Sequence, residues 1–324
     1  MRRREFLRRC SASAAAFAGG RAGLVFTPAA IASPELIPRL QAAPADPRPE
    51  LTRVIPASGE RIPALGMGTY ISFDAAGDPG RKNELRGVLR LFYAAGGRLV
   101  DSSPMYGSAE SVFGELSAGL GLNRDLFVAT RVWTRGGAAG QKQMRSSLRK
   151  LGREKIELMQ IHNLVDWRAH YATLRRWQES GRFRYIGVTH YTPAAFSELE
   201  GVLKNERFDF VQFPYSAATR SAEKRLLPFC QDRGVGVIVN RPYEGGDLFR
   251  SVRGKPLPDF ARELECESYG QLFLKFLLAH SAVTCVIPAT SKPRHMRDNM
   301  GAAHGPLPDR KQREAIARLV GHSS

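Results

Sequence analysis

The chain has 324 residues, of which 43% are hydrophobic, and it carries a formal net charge of +17. This length allows one large domain or two small ones, and the composition is ordinary for a soluble protein with a packed core. Because the Lys and Arg residues are scattered, without an aromatic-interleaved basic run, the charge argues against a nucleic-acid partner and favours an anionic cofactor or a generally basic surface.

The first 32 residues resemble a twin-arginine (Tat) export signal and hold +5 of the net charge, with +12 in the remainder. Paired arginines, Arg3 and Arg4, precede Phe6 and a weakly hydrophobic, Ala-rich region. Arg21 interrupts this region, which ends in an A-x-A cleavage pattern at residues 30–32.

These features predict a signal peptide at residues 1–32, recognised by the Tat translocase, and an unstructured linker rich in Pro and Ala at residues 33–51. The predicted location is periplasmic or exported, with cofactor loaded in the cytoplasm, because the twin-arginine route exports folded proteins. A basic tail without an export role is the alternative. No segment has the uncharged length of a membrane span, so we expect none in the mature protein.

Short runs rich in Val, Ile, Leu or Phe recur along the rest of the chain, each followed by a loop and a helical pattern. The eight predicted strands are Ala64–Tyr70, Arg98–Asp101, Leu126–Arg131, Ile156–Ile161, Tyr185–Thr189, Phe210–Phe213, Gly236–Val239 and Cys285–Pro288. Eight strand–helix units in about 250 residues predict a (β/α)8 TIM barrel, and we assign it to residues 52–324.

Amphipathic spacing predicts the helices between these strands. The apolar positions of the first helix follow an i, i+3, i+4, i+7 pattern, and Thr192 precedes a Pro as an N-cap would. Thr52–Ile62, with Gly59 at its tip, predicts a hairpin that closes the bottom of the barrel. Arg241–Glu267 is expected to form a long loop at the active face, and Pro308–Val320 a final helix.

The four cysteines do not follow the spacing of a metal or redox motif. Cys10 falls in the predicted signal peptide, and the other three are Cys230, Cys266 and Cys285. Because these three cysteines are odd in number and lack a C-x-x-C pair, we interpret them as small hydrophobic residues that are buried. We therefore predict no disulfide and no metal site.

Polar residues gather at the ends of three predicted strands. The second strand ends at Asp101, its loop carries Tyr106, and Ser108 and Glu110 are expected to satisfy the first N–H groups of the next helix. Arg131 ends the next predicted strand, and His162 directly follows the one after it. The carboxyl ends of barrel strands are where catalytic groups lie. The alternatives are a surface turn with a half-buried Tyr and, for the imidazole, an ordinary core histidine.

Three stretches around these residues carry a family resemblance. Asp101 with the following SSPMYGSAESVFG at 102–114, FVATRVW at 127–133 and LMQIH at 158–162 are similar to segments that hold a catalytic Asp and Tyr, a catalytic Lys, and a catalytic His. Together they resemble the aldo-keto reductase family from about residue 52 to the C-terminus. The resemblance implies a barrel enzyme that reduces an aldehyde or ketone with NAD(P)H.

The implied catalytic residues are Asp101, Tyr106, Arg131 and His162. A phenol with a pKa near 10 is a reluctant acid, and a neighbouring cation lowers that pKa by stabilising the tyrosinate. The family uses Lys as this cation, whereas here the position is Arg131, which is planar and longer. A displacement of about 1 Å can reduce a rate by ~100-fold, so we expect a working but modified site.

The resemblance extends to the cofactor segments GVTHY at 187–191, VQFPYS at 211–216 and VIPATSKPRHMRDN at 286–299. The implied cofactor-binding residues are Thr189, His190, Gln212, Asn240, Arg241, Thr290, Lys292, Arg294, His295, Asp298 and Asn299. Three positions differ from the family pattern. His190 stands where the family has an amide side chain, and Asn240 stands where it has an aromatic residue that stacks on nicotinamide. Ala289 stands where the family often has a Lys that holds the 2′-phosphate. The cationic helix start favours NADP(H), with NAD(H) possible.

Trp133, Asn163 and Tyr243 are candidate contacts for a small-molecule carbonyl substrate, with packing or loop bonding as the alternative for each. Two functions compete. The first is a carbonyl reductase with Tyr106 as general acid. The second is a cofactor-retaining binding or redox-sensor protein with weak catalysis, which Arg131 and the predicted export both favour.

Overall fold

The computed structural model describes residues 51–321, so the predicted signal peptide and all but the last residue of the predicted linker lie outside the described residues. Eight parallel strands form one sheet whose order follows the chain. These strands are β3 (Met67–Gly68), β4 (Leu99–Asp101), β5 (Phe127–Val132), β6 (Ile156–His162), β7 (Phe183–Thr189), β8 (Phe210–Pro214), β9 (Gly236–Asn240) and β10 (Val283–Val286).

The sheet closes on itself between its first and last strands. Single bridges pair Leu65 with Val286 and Gly68 with Ala289, and both run parallel. The Gly66 amide donates to the Val286 carbonyl at 2.8 Å, next to these bridges. A closed ring of parallel strands with intervening helices is the predicted (β/α)8 barrel, which is confirmed.

A hairpin closes the amino end of the barrel, as predicted. Strands β1 (Thr52–Val54) and β2 (Arg61–Pro63) pair antiparallel. Ile55 and Ile62 are buried in a small core. Each of the strands β4 to β10 contributes a side chain to this core, and the helices contribute none. The core therefore lies inside the barrel. Below it, Tyr185 Oη lies 2.7 Å from Glu60 Oε2 of the hairpin turn.

Helices cover the outside of the strands. They are α1 (Pro79–Ala94), α2 (Ala109–Gly119), α3 (Gly137–Lys150), α4 (Trp167–Glu179), α5 (Phe196–Asn205), α6 (Leu226–Asp232), α7 (Asp247–Ser251), α8 (Phe260–Glu263), α9 (Tyr269–Leu278), α10 (Pro293–Gly301) and α11 (Arg310–Val320). The buried side chains of α1 are Leu85, Val88, Leu89 and Phe92, the four whose spacing predicts its inner face. Helix α11 confirms the predicted final helix.

Local capping differs from the prediction at two helix starts. Thr192 begins a 3-10 turn, Pro193–Ala195, and its hydroxyl contacts the His190 ring and does not cap the turn. Ser108 precedes α2 without capping it; its hydroxyl donates to Asp74 Oδ1 at 2.7 Å and accepts from the Ala76 amide at 3.1 Å. These two contacts tie the start of α2 to the loop before α1.

The segment from Arg241 to Glu267 is more ordered than expected. It contains a 3-10 turn at Glu244–Gly246 and the short helices α7 and α8, where the sequence predicts a loop. Leu248 of α7 and Ala261 of α8 are buried in the main core. Apolar contacts with the core thus stabilise helices too short to show a periodic pattern.

Cys230, Cys266 and Cys285 are buried and are not joined to one another by a disulfide. Burial raises the pKa of Cys230 to about 12, which keeps it protonated and unreactive. Among residues 51–321, no helix has the length and apolarity to cross a bilayer. The same residues contain no cluster of His, Cys, Asp and Glu that could hold a metal ion.

Candidate active site

A buried ion pair lies at the carboxyl end of the barrel. Asp101 ends β4 and Arg131 is the fifth residue of β5, so parallel pairing brings both side chains to one end of the barrel. Arg131 Nη2 donates to Asp101 Oδ2 at 2.5 Å, and the two residues are 1% and 2% exposed. Burial alone lowers the pKa of Arg131, but the charges of Asp101 and Tyr106 outweigh it and hold that pKa above its ordinary value.

Two glutamines complete the surroundings of this pair. Asp101 Oδ1 accepts from Gln160 Nε2 at 3.2 Å and from Gln212 Nε2 at 3.1 Å. Arg131 also donates to Gln212 Oε1 and to the Ser102 carbonyl, both at 2.5 Å. Gln160 belongs to this cluster by its contact with Asp101, although the sequence did not predict it. The sequence feature that could have identified Gln160 is its position as a polar residue two residues before His162, which places both side chains on the same face of β6.

Tyr106 lies on the loop after β4, over the guanidinium. Arg131 Cζ is 5.4 Å from the centre of the Tyr106 ring, within the range of a cation–π contact. Within residues 51–321 the phenol makes no hydrogen bond, so the cation meets the ring and not the hydroxyl. Burial raises the pKa of Tyr106, and Arg131 lowers it by a smaller amount. The cation therefore lowers the pKa of Tyr106 as expected, but burial outweighs this effect and the net pKa is raised.

His162 ends β6 beside this phenol. Its ring centre is 6.0 Å from that of Tyr106 and 6.3 Å from that of Trp133. Ser103 Oγ lies 3.0 Å from His162 Nδ1. Burial, then the positive charge of Arg131 and the His190 ring, lower the pKa of His162 to about 2, so the imidazole is neutral at physiological pH. The structure thus brings together all four residues predicted as catalytic.

The predicted substrate residues divide into two groups. Trp133 is 41% exposed beside His162, and Asn163 follows His162 with a positive φ of 52° and a buried Oδ1 that has no protein partner among the described residues. Tyr243 lies elsewhere, with its hydroxyl donating to Asn299 Oδ1 at 2.7 Å. The structure therefore groups Tyr243 with the predicted cofactor residues.

Four predicted cofactor residues adjoin the catalytic cluster. Thr189 ends β7, in register with His162 on one side and Gln212 on the other. Asn240 Nδ2 donates to the His190 carbonyl at 3.1 Å, while its Oδ1 is buried without a partner among the described residues. The His190 ring stacks on Tyr191, with centres 5.5 Å apart. These polar groups at neighbouring strand ends form one continuous edge.

The remaining predicted cofactor residues lie around the start of α10. Lys292 is its N-cap residue without a side-chain cap, and Lys292 Nζ forms an ion pair with Glu84 Oε2 of α1 at 2.8 Å. Arg294 and His295 contact each other on the exposed first turn. Thr290 Oγ1 accepts from the Lys292 amide.

Two carboxylates restrain other residues of this group. Asp298 accepts from Ser268 Oγ at 2.8 Å and from Gln271 Nε2 at 3.0 Å, which ties α10 to α9. Arg241 faces Glu244 at 3.9 Å and is exposed. Asp298 is thus fixed against α9, and Arg241 lies exposed directly after Asn240.

Glu110 is a second buried acid beside the site. The sequence predicts it as a helix-start acid, but its Oε1 accepts from the Thr130 hydroxyl at 2.7 Å and it does not face solvent. Burial raises its pKa, opposed by the Thr130 hydrogen bond. Because Thr130 precedes Arg131 in β5, the contact between Glu110 and Thr130 fixes α2 against that strand.

Comparison with known proteins identifies the family. The model of the Aldo/keto reductase family matches residues 64–319. Methylglyoxal reductase YeaE of Escherichia coli (strain K12) is 27% identical over 259 residues, which cover 76% of this chain and 88% of that protein. Aldo-keto reductase yakc [NADP(+)] of Schizosaccharomyces pombe is 22% identical and covers 79% of this chain and 88% of its own length.

Solved structures share the fold. An aldo/keto reductase from Klebsiella pneumoniae, in complex with NADP and acetate, superposes with a TM-score of 0.69 at 22% identity, covering 81% of this chain and 93% of that one. The barrel, the residues gathered at its carboxyl end and the family match over most of the chain agree. This chain belongs to the aldo/keto reductase family.

Proposed function

We propose that this protein is an NADP(H)-dependent carbonyl reductase, with Tyr106 as the general acid. The reaction would consume a carbonyl compound, NADPH and a proton and would yield an alcohol and NADP+. The observation that carries the proposal is the Asp101–Arg131 pair, buried at 2.5 Å directly beneath the Tyr106 ring and beside His162. Tyr106 is half-buried and Trp133 is exposed, so this end of the cluster borders solvent.

The residues present fit a nicotinamide dinucleotide. The unpartnered Asn240 Oδ1 beside Thr189, His190 and Gln212 would accept a carboxamide hydrogen. At the other end, the cationic or polar side chains of Lys292, Arg294 and His295 lie around the N-terminus of α10, which suits a phosphate. This coenzyme, when bound, supplies the hydride. NAD(H) would use the same groups without the 2′-phosphate.

Each catalytic side chain has a distinct task. Tyr106 keeps its proton across neutral pH, because its pKa is raised, and can donate it from Oη to the substrate oxygen. Arg131 stabilises the tyrosinate that remains, and Asp101 holds Arg131 in place. His162 is too weak a base to be protonated at neutral pH, so it would orient the substrate oxygen as a neutral hydrogen-bond donor.

Arg131 gives this site a different geometry from one with Lys. Both of its terminal nitrogens are already engaged, one with Asp101 and Gln212 and the other with the Ser102 carbonyl. The contact seen with the phenol among the described residues is that of Arg131 Cζ at 5.4 Å from the Tyr106 ring centre, so the phenol receives the electrostatic effect of the cation without a hydrogen bond from it. This arrangement supports the second candidate, a protein that retains its coenzyme for binding or redox sensing and turns over slowly.

Steady-state oxidation of NADPH with a panel of reactive aldehydes and ketones separates the two candidates. Many turnovers per protein are expected for the reductase. One turnover or none, with tight coenzyme binding, would favour the binding or sensing role. Tyr106→Phe is the control, because it removes the acidic hydroxyl and keeps the ring over Arg131.

The export proposal rests on residues 1–32 alone. Replacing Arg3 and Arg4 by Lys should retain the full-length chain in the cytoplasm, whereas the unaltered chain should be cleaved after Ala32 and reach the periplasm. Cell fractionation and N-terminal sequencing measure both results. An unaltered chain that stays uncleaved in the cytoplasm would favour the basic-tail alternative.

A further inference from the structure

Ser103 makes the only hydrogen bond to the His162 ring found within residues 51–321. Ser103 Oγ lies 3.0 Å from His162 Nδ1, and Ser103 is 0% and His162 5% exposed. The same Oγ accepts from the Met105 amide at 3.2 Å. A hydroxyl has one hydrogen to donate and two lone pairs, so these two contacts constrain how that hydrogen is used.

Two arrangements of the ring proton are conceivable. If Nδ1 carries the proton, Ser103 Oγ accepts twice and its own hydrogen is left buried without an acceptor. If Nδ1 is bare, the hydroxyl donates to it, and both Ser103 and Nδ1 are satisfied. A buried unpaired donor is costly, so the second arrangement is the stable one.

We propose that Ser103 is a positioning residue that fixes His162 in the Nε2–H tautomer. The proton then lies on the nitrogen that does not face Ser103 and that has no partner among residues 51–321, in a ring bordered by Tyr106 and Trp133. His162 thereby presents an N–H donor to the substrate oxygen. The other tautomer would present a lone pair, which repels a carbonyl oxygen.

The assignment agrees with the charge around the ring. Burial, then Arg131 and His190, disfavour a positively charged imidazole, so His162 is neutral and carries a single proton. A neutral ring needs an external group to select its tautomer. Ser103 supplies this selection from the same loop that carries Tyr106 three residues later, which links the donor geometry of both catalytic groups.

Nitrogen-15 NMR of the ring on the coenzyme-free protein tests the proposal directly. The expected result is a pyridine-type Nδ1 and a pyrrole-type Nε2 for His162, assigned by their loss in His162→Gln. Ser103→Ala should move both shifts toward the average of a tautomer mixture. Ser102→Ala is the matched control, because this neighbouring buried hydroxyl contacts Thr69 and should leave the His162 shifts unchanged.

A pyrrole-type Nδ1 in the unaltered protein would overturn the proposal, as would unchanged shifts in Ser103→Ala. If Ser103→Ala folds poorly, Ser103→Thr retains the hydroxyl and should keep the native ring pattern.

The kinetic arm rests on the proposed function. There, Ser103→Ala should lower kcat/KM by about tenfold, the effect of one lost hydrogen bond, with NADPH affinity unchanged. Absence of turnover in the unaltered protein would count against the reductase and not against the tautomer.

Discussion

Lys292 Nζ and Glu84 Oε2 form an ion pair of 2.8 Å that joins the start of α10 to α1. A 2′-phosphate bound at this helix start would compete with the Glu84 carboxylate for the same ammonium and would be repelled by it. Glu84→Gln should therefore tighten NADPH binding by a few-fold, the size expected for an exposed pair, and leave NADH affinity unchanged.

Fluorescence titration with both coenzymes measures this change. Glu115→Gln is the control, since Glu115 of α2 makes an ion pair with Lys82 of α1 and not with a residue of α10. Equal changes for NADPH and NADH would show that Glu84 acts on the shared part of the coenzyme or on the fold.

Arg131→Lys tests whether only the identity of the cation separates this site from the family pattern. A Lys would keep the charge next to Asp101 but release the planar contacts to Gln212 and the Ser102 carbonyl. We expect turnover of aldehydes with NADPH to persist or rise, because an ammonium can approach the phenol oxygen. Arg131→Met, which removes the charge, should reduce turnover by ~100-fold or more.

Steady-state kinetics of both variants at equal coenzyme saturation gives the comparison. Zero turnover in Arg131→Lys, in a folded protein that binds NADPH, would mean that the site differs from the family in more than its cation.

His162 makes the stability depend on acidity. The pKa of His162 is about 2 in the folded protein, and its ordinary value of 6.5 applies in the unfolded chain. Between pH 2 and pH 6.5 the imidazole is therefore protonated in the unfolded chain and neutral in the folded protein. Stability from this group is complete above pH 6.5 and is lost as pH falls toward 2, at up to about 1.4 kcal/mol per pH unit.

Urea unfolding at pH 7 and pH 5 should show a larger loss in the unaltered protein than in His162→Gln. His295→Gln is a suitable control, because His295 is exposed on α10. Equal pH dependence in the unaltered protein and His162→Gln would contradict a neutral buried imidazole.

The hairpin is expected to stabilise the barrel through Ile62, which is 3% exposed inside the amino end. Ile62→Ala should lower the free energy of unfolding by about 2–5 kcal/mol, as for other buried truncations. Val54→Ala on the same hairpin is the control, because Val54 is 42% exposed and should cost less than about 0.5 kcal/mol. Similar losses for both would mean that the hairpin acts by backbone pairing alone.

Local patterning was enough to predict the barrel, its hairpin plug and the strand-end positions of Asp101, Arg131 and His162. These features depend on periodicity, on strand length and on residues a few positions apart, all of which can be seen in short stretches of the sequence. The short helices α7 and α8 were not predictable in this way, since neither is long enough to show an amphipathic period.

Long-range contacts decided the chemistry of the site. Glu84 and Lys292 are 208 positions apart, Gln212 lies 111 positions from Asp101, and only folding shows that they meet. The raised pKa of Tyr106 likewise follows from burial by several elements, which outweighs the one cation that the sequence could identify. Desolvation is a property of the packed whole, so the folded barrel had to be known before the acidity of its phenol and imidazole could be assigned.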